Sequence, residues 1–299
     1  MSAPISDHSK GLLLTAIGGL TLTVDIPLIK LANGDVWSVL MVRCATTLVV
    51  TAIVWAIWRA LSPRAPALLP GKAGLAVAAC YGIGSICFLS AVYHIPTANL
   101  VFLLAFNTVF AAVLSWLFLK ERPRPATLAA MAAMLVGVAI IVSDGISSGS
   151  LFGNVLALCS SLCIASAITI TRATGRDMGF TSLVAVSLPL LVAVAMVAQV
   201  GYRIEAPWWI VLNGAVVMPI AFFLLATGPK YISGPEVAMF YLLETVLAPI
   251  WVWLIFLETP TPQTLIGGAI LITALLSHSL WQLHQGRRRR AAQAVRHAP

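Results

Sequence analysis

Apolar residues run along this chain in long stretches broken by short polar punctuation. An α-helix rises ~1.5 Å per residue, so about 20 apolar residues cross a hydrocarbon core of ~30 Å. Such stretches lie near 11–31, 36–58, 73–93, 97–119, 125–143, 151–171, 180–200, 207–228, 235–257 and 262–284. The connectors are rich in Pro, Gly and Ser, as at 62–66, 143–150 and 228–235, where chains turn. The pattern predicts an all-α integral membrane protein of ten transmembrane helices.

The polar interruptions repeat. Laying residues 94–128 onto 231–265 without a gap sets Asn99 on Glu236, Asn107 on Glu244, Thr108 on Thr245, Trp116 on Trp253 and Leu117 on Leu254. The run closes on Glu121-Arg-Pro-Arg-Pro against Glu258-Thr-Pro-Thr-Pro. The chain therefore divides into a first five-helix repeat, 11–143, a second, 151–284, and a basic tail, 285–299. Five spans is an odd number, so the second repeat enters the membrane upside down. Inverted repeats of this kind, built around polar groups at bilayer depth, are a common plan of secondary transporters.

Composition agrees with lipid as the main solvent: the chain is 60% hydrophobic and only 9% charged, where a soluble domain has about a quarter of its residues charged. The net charge of +8 might suggest nucleic acid, but its distribution speaks for topology. Outside the spans every lysine and arginine except Lys30 and Arg203 falls on the side of the two termini, including Arg287–Arg290 and Arg296. By the positive-inside rule both termini are expected in the cytoplasm. The first span is too long, and its end lacks the small-residue pattern, for a cleavable leader.

Charged groups inside hydrocarbon cost roughly 2.5–3.5 kcal/mol each on insertion scales and usually face a partner or a cavity. Asp25 and Arg43 lie at similar depths in spans one and two, so they form either a buried ion pair or a site for a substrate carboxylate. Glu244 has no basic neighbour in sequence. With Asn107, Asn99 and Glu236 it converges from spans four and nine, and Tyr81, Phe102, Phe106 and Tyr241 add aromatic surface; together these are candidates for lining a central cavity. The alternative for Asn107 and Glu244 is interhelical hydrogen bonding. Pro27, Pro219 and Pro249 interrupt helices and Gly82 and Gly84 soften one, all candidate hinges. Ala129, Ala133 and Gly137 in span five, with Ala269, Thr273 and Ser277 in span ten, form small-residue stripes expected to pack closely. The five cysteines are expected to be buried packing residues. No metal or cofactor site is expected, since the histidines are scattered and no HExxH or Walker loop occurs.

Trp116-Leu-Phe-Leu-Lys-Glu121-Arg-Pro-Arg-Pro125 and Trp253-Leu-Ile-Phe-Leu-Glu258-Thr-Pro-Thr-Pro262 resemble the EamA-type branch of the drug/metabolite transporter superfamily, and within it the YddG-type exporters of aromatic and other neutral amino acids. The resemblance implies a bacterial inner-membrane exporter, with no enzymatic activity, working by alternating access. Helices one, three, four, six, eight and nine would line the cavity and helices five and ten would pack outside. Its partners would be a small-molecule substrate, amino acids foremost, and the lipid bilayer, with no nucleic acid; a monomer suffices. A single intramembrane arginine argues against polyanionic phosphorylated substrates. Efflux of cationic drugs, with Glu244 binding the cation or a proton, is the alternative transporter; a membrane-embedded enzyme or a non-transporting subunit stands further off.

Overall fold

The computed structural model describes residues 7–62, 67–175, 178, 180–227, 231–232 and 234–296. Among these, nine helices have the length and apolarity to cross a membrane: His8–Leu31, Val36–Leu61, Gly71–Val92, Thr97–Leu119, Pro125–Ile146, Leu151–Thr174, Thr181–Val200, Pro207–Leu225 and Pro262–Gln285. The helix Gly234–Phe256 supplies the remaining span, ninth in chain order. The protein is an all-helical membrane protein, and its spans are numbered one to ten below.

The packing obeys an inverted two-fold relation. Adding five to a span number in the first repeat, and subtracting five in the second, turns each major contact into another. Span three on six becomes eight on one, and four on six becomes nine on one. Two on seven, four on nine and five on ten map onto themselves. All of these contacts are present, as expected of inverted repeats joined about an axis in the membrane plane.

Four spans are broken, and three breaks have one cause. Proline cannot donate to the carbonyl four residues earlier. Pro27 frees the carbonyl of Thr23, Pro189 that of Ala185, and Pro219 that of Ala215. Span one is interrupted between Leu22 and Asp25, span seven between Val184 and Ser187, and span eight opens into a π-helical stretch, Asn213–Val217. The distortion thus sits one turn ahead of each proline, displaced from Pro27 and Pro219 themselves. Span four breaks at Phe106 with no proline to explain it.

Three of the candidate hinges lie in unbroken helix. Span three runs unbroken through Gly82 and Gly84. A Cβ at Gly82 would lie 3.0 Å from the Ala185 carbonyl oxygen, and one at Gly84 would lie 3.2 Å from Cys163 Cβ, so both serve close packing. Span nine also continues through Pro249.

The small-residue stripes are only partly an interface. Spans five and ten cross where Gly137 and Gly267 meet, each letting the other's carbonyl approach. Ala133, Ala269, Thr273 and Ser277 instead line a shallow open groove beside that crossing. Of the cysteines only Cys44 is buried, and Cys159 is exposed.

The main core is lopsided. Ile26, Ile29, Leu40, Leu89, Leu100 and Leu103 are fully buried in one cluster, all in the half of the bundle opposite the termini. On that face the link after span one is tied to the link after span seven. Gly34 and Ile204 form an antiparallel bridge, Asp35 N–H donates to the Arg203 carbonyl at 3.0 Å, and Ala206 N–H to the Ala32 carbonyl at 3.1 Å. Nearer the termini the described residues add two smaller clusters, Leu22 with Ala221 and Leu225, and Val77 with Ala167 and Met178. Among the described residues, the densest packing lies opposite the termini.

Candidate functional site

Asp25 opens the second segment of span one, Asp25–Leu31, with Lys30 in its last turn. Each charge sits at the helix end whose partial charge opposes it. The break before Asp25 is satisfied locally: Thr23 Oγ1 donates to the Leu20 carbonyl at 2.8 Å and accepts from Trp251 Nε1 of span nine at 3.2 Å.

Arg43 and Asp25 form a buried ion pair. Arg43 Nη2 donates to both Asp25 carboxylate oxygens at 2.9 Å, and the residues are 5% and 2% exposed. A third member completes the cluster. Asn213, fully buried in the π-helical stretch of span eight, accepts from Arg43 Nε at 3.0 Å through Oδ1. It donates through Nδ2 to Asp25 Oδ1 at 2.6 Å and to the Asp25 carbonyl at 3.2 Å. Thr47 Oγ1 meets the Gly214 carbonyl at 2.8 Å, satisfying a carbonyl in the distorted turn. A Cβ at Gly214 would come within 2.5 Å of the Arg43 carbonyl oxygen, so glycine is what lets the two backbones touch. The Phe88 ring lies 5.5 Å from the guanidinium carbon. Spans one, two and eight are pinned together by a polar knot whose carboxylate, amide and Arg43 Nε and Nη2 are all engaged. Asn213 was not among the residues singled out from sequence; an Asn-Gly step in mid-span, six residues before a proline, was its available signal.

Glu244 differs. It is half-buried in the helix of span nine, which packs against both segments of span one. Tyr241, one turn earlier, is 42% exposed. Asn107 begins the second segment of span four and is half-buried. Among the described residues neither the Asn107 nor the Glu244 side chain has a hydrogen-bond partner.

The other candidates fall elsewhere. Asn99, 2% exposed, accepts from Thr264 Oγ1 of span ten at 2.6 Å. The Phe102 ring lies against Gly268, also of span ten. Phe106 is buried in the main core and meets Phe110 edge-on with centroids 5.0 Å apart. Asn99 and Phe102 therefore take part in packing between spans four and ten, and Phe106 in the main core. Glu236 lies in the helix of span nine, but its side chain is outside the described residues. No group of three or more His, Cys, Asp or Glu that could hold a metal occurs among the described residues.

A family model for EamA-like transporters matches the chain twice, over residues 9–143 and 151–279. The chain belongs to the EamA-like transporter family. The two matches correspond to the two inverted halves. The chain is 24% identical over 199 residues to the pseudopaline exporter CntI of Pseudomonas aeruginosa, in each of two strains, covering 65% of this chain and 70% of the relative. A crystal structure matches with a TM-score of 0.65 at 16% identity, covering 92% of this chain and 98% of the other; that likeness concerns the fold alone. The protein is thus a multi-pass membrane transporter of the family.

Proposed function

We propose that the protein exports small neutral or zwitterionic metabolites bearing an amino group, amino acids foremost, across a bacterial inner membrane by alternating access. The observation that carries this is Glu244: a carboxylate in span nine with no hydrogen-bond partner among the described residues, on a helix packed against the segment that holds Asp25. Asp25 and Arg43 offset each other, so the charge left over is negative and its complement is an ammonium group. Tyr81 and Tyr241 add aromatic faces, which favour both an ammonium and an aromatic side chain, as the YddG-type likeness suggests. Asn107 offers an amide able to donate to a carboxylate or accept from an amine. Arg43, committed to Asp25 and Asn213, is poorly placed to hold a phosphorylated substrate. Export of a small metabolite is in keeping with the exporter among the relatives.

The same unpaired carboxylate and tyrosines favour a second reading, efflux of lipophilic cations. Purified protein in liposomes separates the two. Counterflow of labelled amino acids is the expected result; flux of organic cations with no amino-acid counterflow favours the second reading, and no flux of either removes both. The basic asymmetry supports a topology with both termini in the cytoplasm. A cysteine introduced by Ser147→Cys should react with an impermeant thiol reagent outside intact cells, and one introduced by Ala292→Cys should not. Labelling of both from outside contradicts this topology.

A further inference from the structure

The paired Glu-x-Pro-x-Pro runs leave two carboxylates in equivalent positions at opposite faces. Glu258, after span nine, pairs with Lys30 in the last turn of span one. Glu121, after span four, pairs with Arg172 in the last turn of span six at 2.8 Å. The inverted relation exchanges spans nine and four, and one and six, so the ion pairs are counterparts.

Their surroundings are not equivalent. The Lys30 and Glu258 side chains are 19% and 26% exposed, those of Arg172 and Glu121 53% and 50%. Glu258 also does something that Glu121 does not: its Oε1 accepts from the backbone N–H of Thr97 at 2.5 Å, the first residue of span four. Both Glu121 oxygens go to Arg172. A carboxylate on the first turn of a helix satisfies a donor that has no partner within the helix and meets its positive end. The residue in register with Thr97 is Gly234, the first residue of span nine. Its N–H is available in kind, because the residue lacking one is Pro235.

We propose that Glu258 and Glu121 are alternating helix caps that close opposite ends of the transport path. Glu258 on Thr97 ties span nine to span four and holds the bundle shut opposite the termini, where the core is dense. When the bundle changes over, Glu258 leaves Thr97 and Glu121 takes the Gly234 N–H, tying span four to span nine at the face of the termini. Each carboxylate keeps its basic partner, Lys30 or Arg172, which holds it near its helix end in both states. Exchange of equivalent contacts between two copies of one unit is how an inverted repeat supplies two states from one sequence pattern. This rests on the alternating-access reading above, but the contact it predicts can be seen without any substrate.

Two cysteine pairs in the full chain, in proteoliposomes, test it: Glu258→Cys with Thr97→Cys, and Glu121→Cys with Gly234→Cys. Chain carrying only the native cysteines is the control. Oxidative cross-linking is expected for both pairs, each trapping a different state. Adding Glu258→Gln to the second pair should raise its cross-linking rate several-fold, because weakening one cap favours the state held by the other. Glu258→Ala, which also removes the amide, should do the same, guarding against an effect of the Gln side chain alone. Cross-linking of the first pair with none of the second, or a second-pair rate unmoved by both Glu258 changes, overturns the proposal. If the cross-links behave as expected while no amino acid is transported, the caps stand and the substrate reading fails.

Discussion

Two polar clusters share the middle of this bundle, and they have been finished differently. Around Asp25 and Arg43 the sequence supplies Asn213, so that the carboxylate is paired and hydrogen-bonded at 2% exposure. Glu244, half-buried in span nine, has no hydrogen-bonding partner among the described residues. A buried charge that is paired and satisfied holds structure, whereas its partner left alone is heavily penalised. An intramembrane carboxylate left without a partner keeps its bonding capacity for a ligand. The two acids lie in the same membrane but differ in satisfaction, and on our proposal it is the unsatisfied one that is kept for the substrate.

The sharpest way to break this contrast is to take the completed cluster apart. Asp25→Ala and Arg43→Ala should each lower stability by about 3–5 kcal/mol, since each strands a buried charge. The double variant should lose clearly less than the sum of the two. Additive losses in thermal unfolding would show that the pair is not coupled. Next in size is Asn213→Leu, which removes an acceptor from Arg43 Nε and two donations to Asp25 while keeping similar bulk. A loss of about 1–3 kcal/mol is expected, and an unchanged melting temperature would reduce the cluster to a simple ion pair. Smaller still should be the stability effects in the open cluster. Glu244→Gln and Asn107→Leu break no hydrogen bond, so each should shift stability by less than about 1 kcal/mol while changing transport. Destabilisation as large as that of Asp25→Ala would erase the distinction between the clusters.

Much of this was legible in the sequence. The apolar stretches predicted the helices because hydrocarbon leaves the backbone few alternatives, and the register of Glu121 on Glu258 predicted the inverted halves. The Asp25–Arg43 pair followed from matched depth. Asn213 did not, because an uncharged amide carries no desolvation signal as strong as that of a carboxylate. The helix breaks were misplaced by one turn, since the bond that proline removes belongs to the carbonyl four residues before it. Register pairing joins Asn99 to Asn107, and Phe102 and Phe106 enter as aromatic surface on the same span. Helical spacing of three, four and seven puts Asn99, Phe102 and Phe106 on one face, and the structure sets Asn99 and Phe102 against span ten. The break at Phe106 separates them from Asn107, and no residue type announces it.

On our proposal Glu244 works on the substrate and does not merely pack. Amino-acid counterflow across a pH series in proteoliposomes of the unaltered chain and of Glu244→Gln, with melting temperatures taken on the same preparations, decides between the two roles. The carboxylate can take up a proton and the amide cannot, and every other residue is the same in both proteins. The account predicts a changed rate and a flattened pH profile for Glu244→Gln at nearly unchanged melting temperature. Flux that matches the unaltered chain at every pH would contradict it.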